Sequence, residues 1–240
     1  MAIGGSHTMK SFDAELNKLK DMIARMSGLA EAQLIATLQA MTERDSDQAA
    51  QVVADDVKVD ALERQASEQV MRLLALRTPL ADDLRMAVTG LKLSGELERV
   101  ADNAASCAKR VMVLNQLPSV APVRAVTRMG WLAVELLKEV TDAYLSHDAE
   151  RAMVVWRRDQ ELDDLYSSLF RELLTYMLED PRNITACTHL MFLAKNIERI
   201  GDHATNIAEM TYFLVTGHPI SEQRPKRDVS SSTVPNSDET

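Results

Sequence analysis

At 240 residues, with 46% hydrophobic and 26% charged side chains, the chain has the balance of a folded protein and the length for one large or two small domains. A net charge of −9 argues against nucleic acid as a partner and against overall attraction to anionic lipid, because both call for a basic surface. With 8 Gly, 7 Pro and only 4% aromatics, the apolar supply is Ala, Leu, Val and 13 Met, a mixture that favours helices over sheet. The expected fold class is all-α.

Apolar residues recur at three- and four-residue steps and predict six helices. The first covers about Ser11 to Arg44, the second about Ser46 to Leu76, and the third starts at Thr78-Pro79 and ends near Gln116. Pro118 and Pro122 mark an interior linker, since two prolines four residues apart do not sit inside a helix. A fourth helix follows from about Val123 to Leu145, a fifth opens in SHDAERAMVV, and a sixth opens at Asp180-Pro181 and closes at Gly217 and Pro219. The polar, proline-dotted stretch 219–240 reads as a disordered tail. No apolar run approaches the ~18–20 residues needed to span a bilayer, and no signal peptide opens the chain, so the expected location is the cytoplasm.

The halves repeat one another. Glu98-Arg-Val-Ala-Asp102 returns 100 residues later as Glu198-Arg-Ile-Gly-Asp202, and Asp56/Asp60 return 103 residues later as Asp159/Asp163. Pro79 and Pro181 are 102 apart, so the offset shrinks only at loops and helix ends, as in a duplication. The expected organisation is two tandem three-helix bundles, residues 10–117 and 121–218.

Each half thus carries two acid-x-x-x-acid pairs on neighbouring helices. Like charges at i and i+4 lie ~5–6 Å apart and cost a few tenths of a kcal/mol per pair. The seam through Leu193, Ile197, Ile200, Ala204, Ile207, Thr211 and Leu214 puts Glu198, Asp202 and Asn206 outside the seam, facing away from the core. Glu98, Asp102 and Ser106 take the same outward phase in the third helix. A water-facing surface is the plain reading of any one pair, but solubility alone mixes signs, and four equivalent like-charged pairs call for something positive between them. Arg99 and Arg199, each three residues before an aspartate, could bridge locally. Alternatively Asp56, Asp60, Glu98, Asp102, Asp159, Asp163, Glu198 and Asp202 form two all-oxygen sites for a hard metal such as iron, Mn²⁺ or Mg²⁺.

Other chemistry is sparse. There is no Glu-x-x-His of the ferritin type, no Gly-rich phosphate loop and no Gly-x-Ser-x-Gly. Cys107 and Cys187 read as buried thiols, His147 as a capping residue, His189 as a packing residue and His203 as a partly exposed helix histidine. LRTPLADDLR is similar to the helix around a sensor kinase's phospho-accepting histidine, but Leu74 stands where that histidine would be. Two functional readings follow from the residues: a docking protein whose acidic strips suit basic partners, or a metal-dependent hydrolase or oxidase working through the carboxylates.

The repeated ERVAD and ERIGD segments, their D-x-x-x-D partners and the helix openings RTPLADDLR and EDPRNI resemble the PhoU family, over about Phe12 to Gly217. The first copy departs from the pattern at Ala101, Asn103 and Ser106, where the second has Gly201, His203 and Asn206. The resemblance implies paired three-helix bundles, usually dimeric, whose acidic motifs hold iron or other metal clusters in some members. It also implies a cytoplasmic negative regulator rather than an enzyme, needing no cofactor for catalysis. Its implied partners are the phosphate transporter's ATPase subunit and the phosphate-regulon sensor histidine kinase, with the membrane reached only peripherally through them. Departures in the first copy imply weaker or altered metal binding there.

Overall fold

The structure, a computed structural model, describes residues 4–77, 82–222 and 224. It is helical, with α1 Gly4–Glu43, α2 Ser46–Asp55, α3 Val57–Arg77, α4 Asp82–Leu114, α5 Val123–Ser146, α6 Ala149–Glu179 and α7 Ile184–Thr216. A 3₁₀ turn, Pro181–Asn183, leads into α7. The helix expected from Ser46 to Leu76 is instead interrupted at Asp56, whose carbonyl accepts from both Val59 N (2.9 Å) and Asp60 N (3.3 Å). That shared bond tightens one turn of the backbone next to a candidate ligand. The proposed cap at Thr78-Pro79 lies outside the described residues.

The duplication is written into the turns. Arg44 and His147, 103 residues apart, both adopt the left-handed conformation, with φ of 60° and 55°. The next residues, Asp45 and Asp148, each return a backbone N–H to a carbonyl five residues back, Ala40 and Ala143, at 2.9 Å. Each aspartate then caps the following helix through its carboxylate, on Gln48 N and Arg151 N, again at 2.9 Å. Non-glycine residues tolerate this backbone when their side chains are held. Arg44 donates to the Asn115 and Leu117 carbonyls, while His147 accepts from Lys20 Nζ at 2.9 Å. His147 therefore ends α5, close to the capping role expected of it.

α1, the α2–α3 arm and α4 form the first bundle; α5, α6 and α7 form the second. The two are joined along α4 against α7 and α1 against α5. One apolar core runs through both, from Ile23 and Met26 to Ile207 and Leu214, and a smaller cluster of Leu16, Leu19, Met22, Ala66, Val70, Leu73 and Ala87 lies in the first bundle. Both cysteines are buried and unpaired. Of the stretch expected as a tail, Ile220, Glu222 and Arg224 contact the bundle.

Packing also explains a departure between the copies. A Cβ on Gly201 would fall inside the contact radius of Leu162 Cδ2, on the facing helix α6. The offsets make Ala101 and Val59 the counterparts of Gly201 and Leu162, and both are fully buried. A methyl group gained on one helix is matched by a methylene lost from the other, so both copies fill their interhelical space. Gly201→Ala should therefore destabilise the protein by about 1 kcal/mol, overpacking outweighing the helix-propensity gain. Adding Leu162→Val should recover most of that loss in urea-unfolding midpoints, a coupling absent if the two sites pack independently.

Candidate metal centres and the cleft between the repeats

In the first repeat, Asp56 at the α2–α3 break and Asp60 on α3 meet Asp102 on α4, with one carboxylate oxygen of each within 4.8 Å of the other two. Glu98, one turn before Asp102, stands beside them and feels the charges of Asp102, Asp60 and Glu63. Asp56 Oδ1 is buried without a hydrogen-bond partner. Burial, followed by the charges of Asp102 and Asp60, pushes the Asp56 carboxyl from its ordinary 3.8 up to about 6. Burial likewise raises Glu98, with Asp102 adding to it. The nearby positive charges, Arg99 acting on Glu98 and Glu96 and Lys109 acting on Asp56, do not offset burial and the neighbouring carboxylates at Asp56 and Glu98.

The second repeat resolves the same problem differently. Asp159, Asp163 and Glu198 are buried, at 2%, 2% and 3% exposure, which overturns the expectation that Glu198 faces away from the core. α7 packs against α4, α5 and α6 together, so a phase derived from one apolar seam cannot leave it a broad water-facing side. Buried carboxylates need partners. Glu198 pairs with Lys195 Nζ at 2.9 Å. Asp159 Oδ2 accepts from Arg224 Nε at 3.0 Å, and Asp202 Oδ1 accepts from Arg224 Nη2 at 2.5 Å. Burial still leaves the Asp159 carboxyl above its ordinary value, against the pull of Arg224.

Both clusters border one cleft of about 740 Å³ between α4 and α7. Asp56, Arg99, Asp102 and Lys109 line it from the first repeat, and Arg199, Asp202, His203 and Arg224 from the second. Beside it Glu96 takes His203 Nδ1 at 2.7 Å and Asn206 Nδ2 at 2.9 Å. Burial would raise the Glu96 carboxyl, but these two bonds outweigh it and hold it below the usual range. His203 and Asn206 thus tie α7 to α4. Sequence reading had no signal for Glu96, Lys195 or Arg224, because each becomes a partner only through tertiary packing.

The model of the PhoU domain matches the chain twice, over residues 23–111 and 126–211. The chain belongs to the PhoU family. The two matches fall one on each repeat, with the linker prolines between them. A phosphate-specific transport system accessory protein PhoU homolog of Caulobacter vibrioides is 50% identical over 226 residues, covering 94% of this chain and 98% of that one. The homolog of the same name from Zymomonas mobilis is 48% identical, covering 94% and 95%. Among solved structures, PhoU from Pseudomonas aeruginosa superposes with a TM-score of 0.84 at 36% identity, covering 86% of this chain and all of that one. The phosphate transport system regulatory protein PhoU from Streptococcus pneumoniae gives 0.80 at 26%, covering 88% and all of that chain. The all-α tandem organisation expected from the sequence is thereby that of the family. No described helix is long and apolar enough to cross a membrane.

The first cluster yields a pH signature. Between 3.8 and about 6 the folded chain keeps a proton on Asp56 that the unfolded chain releases, so this residue erodes stability as pH rises through that window. Asp56→Asn should make chelator-treated protein more stable at pH 7.5 by about 1 kcal/mol, after discounting for partial exposure, with the gain gone near pH 4. Urea unfolding at the two pH values checks it.

Proposed function

We propose that the protein regulates phosphate-specific transport as a cytoplasmic adaptor, a homodimer that represses rather than catalyses. In this reading it meets the transporter's ATP-hydrolysing subunit and the sensor histidine kinase of the phosphate regulon, and lowers kinase output when phosphate is plentiful. Family membership supports the transport role, since its relatives are named for it. The observation that carries the site's part is the converging trio Asp56, Asp60 and Asp102 with its unpartnered Oδ1.

The residues fit a hard cation. The donor set is all oxygen, from two helices, and a positive ion would relieve both the orphaned atom and the raised Asp56 carboxyl. Asp56, Asp60 and Asp102, with Glu98 beside them, would hold it in the first repeat. Asp159, Asp163, Glu198 and Asp202 are the same residue types in the second, although among the described residues only the first trio converges within 4.8 Å. Iron, manganese or magnesium would supply fixed positive charge that pins the α2–α3 arm to α4. The carboxylates around it would still present net negative charge to a basic partner surface, which speeds encounter and sets register.

Two measurements test this. Deleting the gene should raise alkaline phosphatase expression several-fold in phosphate-rich medium, and unchanged expression would overturn the repressor role. Asp56→Asn combined with Asp102→Asn should lower metal per chain, by elemental analysis of protein prepared without chelator, while helicity stays at the wild-type level. Equal metal in both proteins would remove the first cluster from the proposal.

A further inference from the structure

Residue 224 lies beyond the end of α7 at Thr216, yet its guanidinium is seated between the two repeats' walls, against Asp159 and Asp202. Its approach is fixed at two earlier points. Ile220 packs on the apolar core, and Glu222 lies 3.7 Å from Arg157 on α6. Asp159 is 2% exposed, so the contact is made with a buried acid rather than with a rim charge.

The repeat gives this contact its meaning. The offsets of 103 and 100 make Asp159 and Asp202 the counterparts of Asp56 and Asp102. In the first repeat those two converge on one another and on Asp60, and among the described residues Lys109 acts on Asp56 through its charge without bridging the pair. In the second, Arg224 bridges the corresponding pair, from α6 to α7. One structural position in two copies is thus answered by an acidic gap and by a guanidinium.

We propose that Arg224 is a built-in cationic occupant of the second acidic cluster, mutually exclusive with a hard metal ion, so that loading either one displaces the other. Asp159 Oδ2 and Asp202 Oδ1 are the oxygens the guanidinium uses, at 2.9–3.0 Å and 2.5 Å. A hard cation draws such oxygens to about 2.0–2.6 Å and would hold its charge in contact with the guanidinium. Competition of this kind multiplies apparent metal affinity by the fraction of molecules with the segment lifted, and by linkage metal lifts the segment in return. The second cluster therefore binds metal more weakly than the first, and its filling is reported on the surface by Pro219 to Glu222, the described stretch ahead of Arg224. This inference rests on the metal reading proposed above.

The test uses the full chain and Mn²⁺ alone, counting free Mn²⁺ by electron paramagnetic resonance. In an Asp56→Asn/Asp102→Asn background, which leaves the second cluster intact, Arg224→Ala should bind Mn²⁺ about tenfold more tightly than the chain with Arg224, the loss of two charge-assisted bonds from the competitor. Separately, a fluorophore on Ser221→Cys should lose anisotropy when saturating Mg²⁺ is added, and should start low and ignore Mg²⁺ in an added Asp202→Asn. Unchanged Mn²⁺ affinity on removing Arg224, no Mn²⁺ binding in that background, or anisotropy indifferent to Mg²⁺ would each overturn the competition. The first cluster answers its own question: if the otherwise wild-type chain binds Mn²⁺ there while these results fail, the metal reading stands and only the role of Arg224 falls.

Discussion

The packing of α4 against α7 is the constraint on which the remaining features depend. It joins the two bundles into one apolar core and brings both acidic clusters to one cleft. Burying each large apolar side chain is worth roughly 1.5–3 kcal/mol, and a like-charged pair on one helix face costs a few tenths. The core therefore dictates where the carboxylates end up. Repulsion at the surface is minor beside this; desolvation of a buried, unpaired charge, at several kcal/mol, is not. The clusters must be answered by positive charge wherever packing has buried them.

That requirement separates the copies. Asp159, Asp163 and Glu198 are buried, and Lys195 and Arg224 supply the charge. Asp56, Asp60 and Asp102 remain partly exposed, and the cost is met by a carboxyl that keeps its proton longer. Volume has drifted in step with charge. Gly201 faces Leu162 where the first repeat has the buried Ala101 and Val59, a methyl more on one helix and a methylene less on the other. Of the departures at Ala101, Asn103 and Ser106, the first is accounted for by packing, since Ala101 is buried as Gly201 is and the facing volumes differ in the opposite sense.

The parts of this structure governed by local rules were legible in the sequence. Helix bounds at Val123, Ala149 and Thr216 follow from apolar steps, the SHDAERAMVV opening and a glycine stop, and offsets of 100–103 exposed the duplication. The acid pairs were found because like charge at i and i+4 is conspicuous on a helix. What escaped depends on neighbours. A single heptad seam gave α7 one partner where it has three, so Glu198 was placed on the wrong side. Asp56 lies in a run with no glycine or proline, and the interruption there carries no local mark. Arg224 sits in a polar, aperiodic stretch, where pattern reading has nothing to measure.

The arginine also changes what an acidic helix face can be taken to mean. The motif's own arginines, Arg99 and Arg199, are bound to their helices and cannot leave, so a bridge made by them would be permanent. Among the described residues, the stretch ahead of Arg224 is held by the apolar contact of Ile220 and the long, exposed Arg157–Glu222 ion pair, which is worth little on its own. A charge held that way partners the buried Asp159 beside Thr205 and leaves without penalty only when another cation takes its place, since an unpaired acid there would cost several kcal/mol. Duplication supplied two equivalent acidic sites; a cation carried beyond the last helix makes them chemically unequal without altering the ligands themselves. Sites of identical donor composition can then differ in occupancy at one metal concentration, which two identical sites in one core could not do.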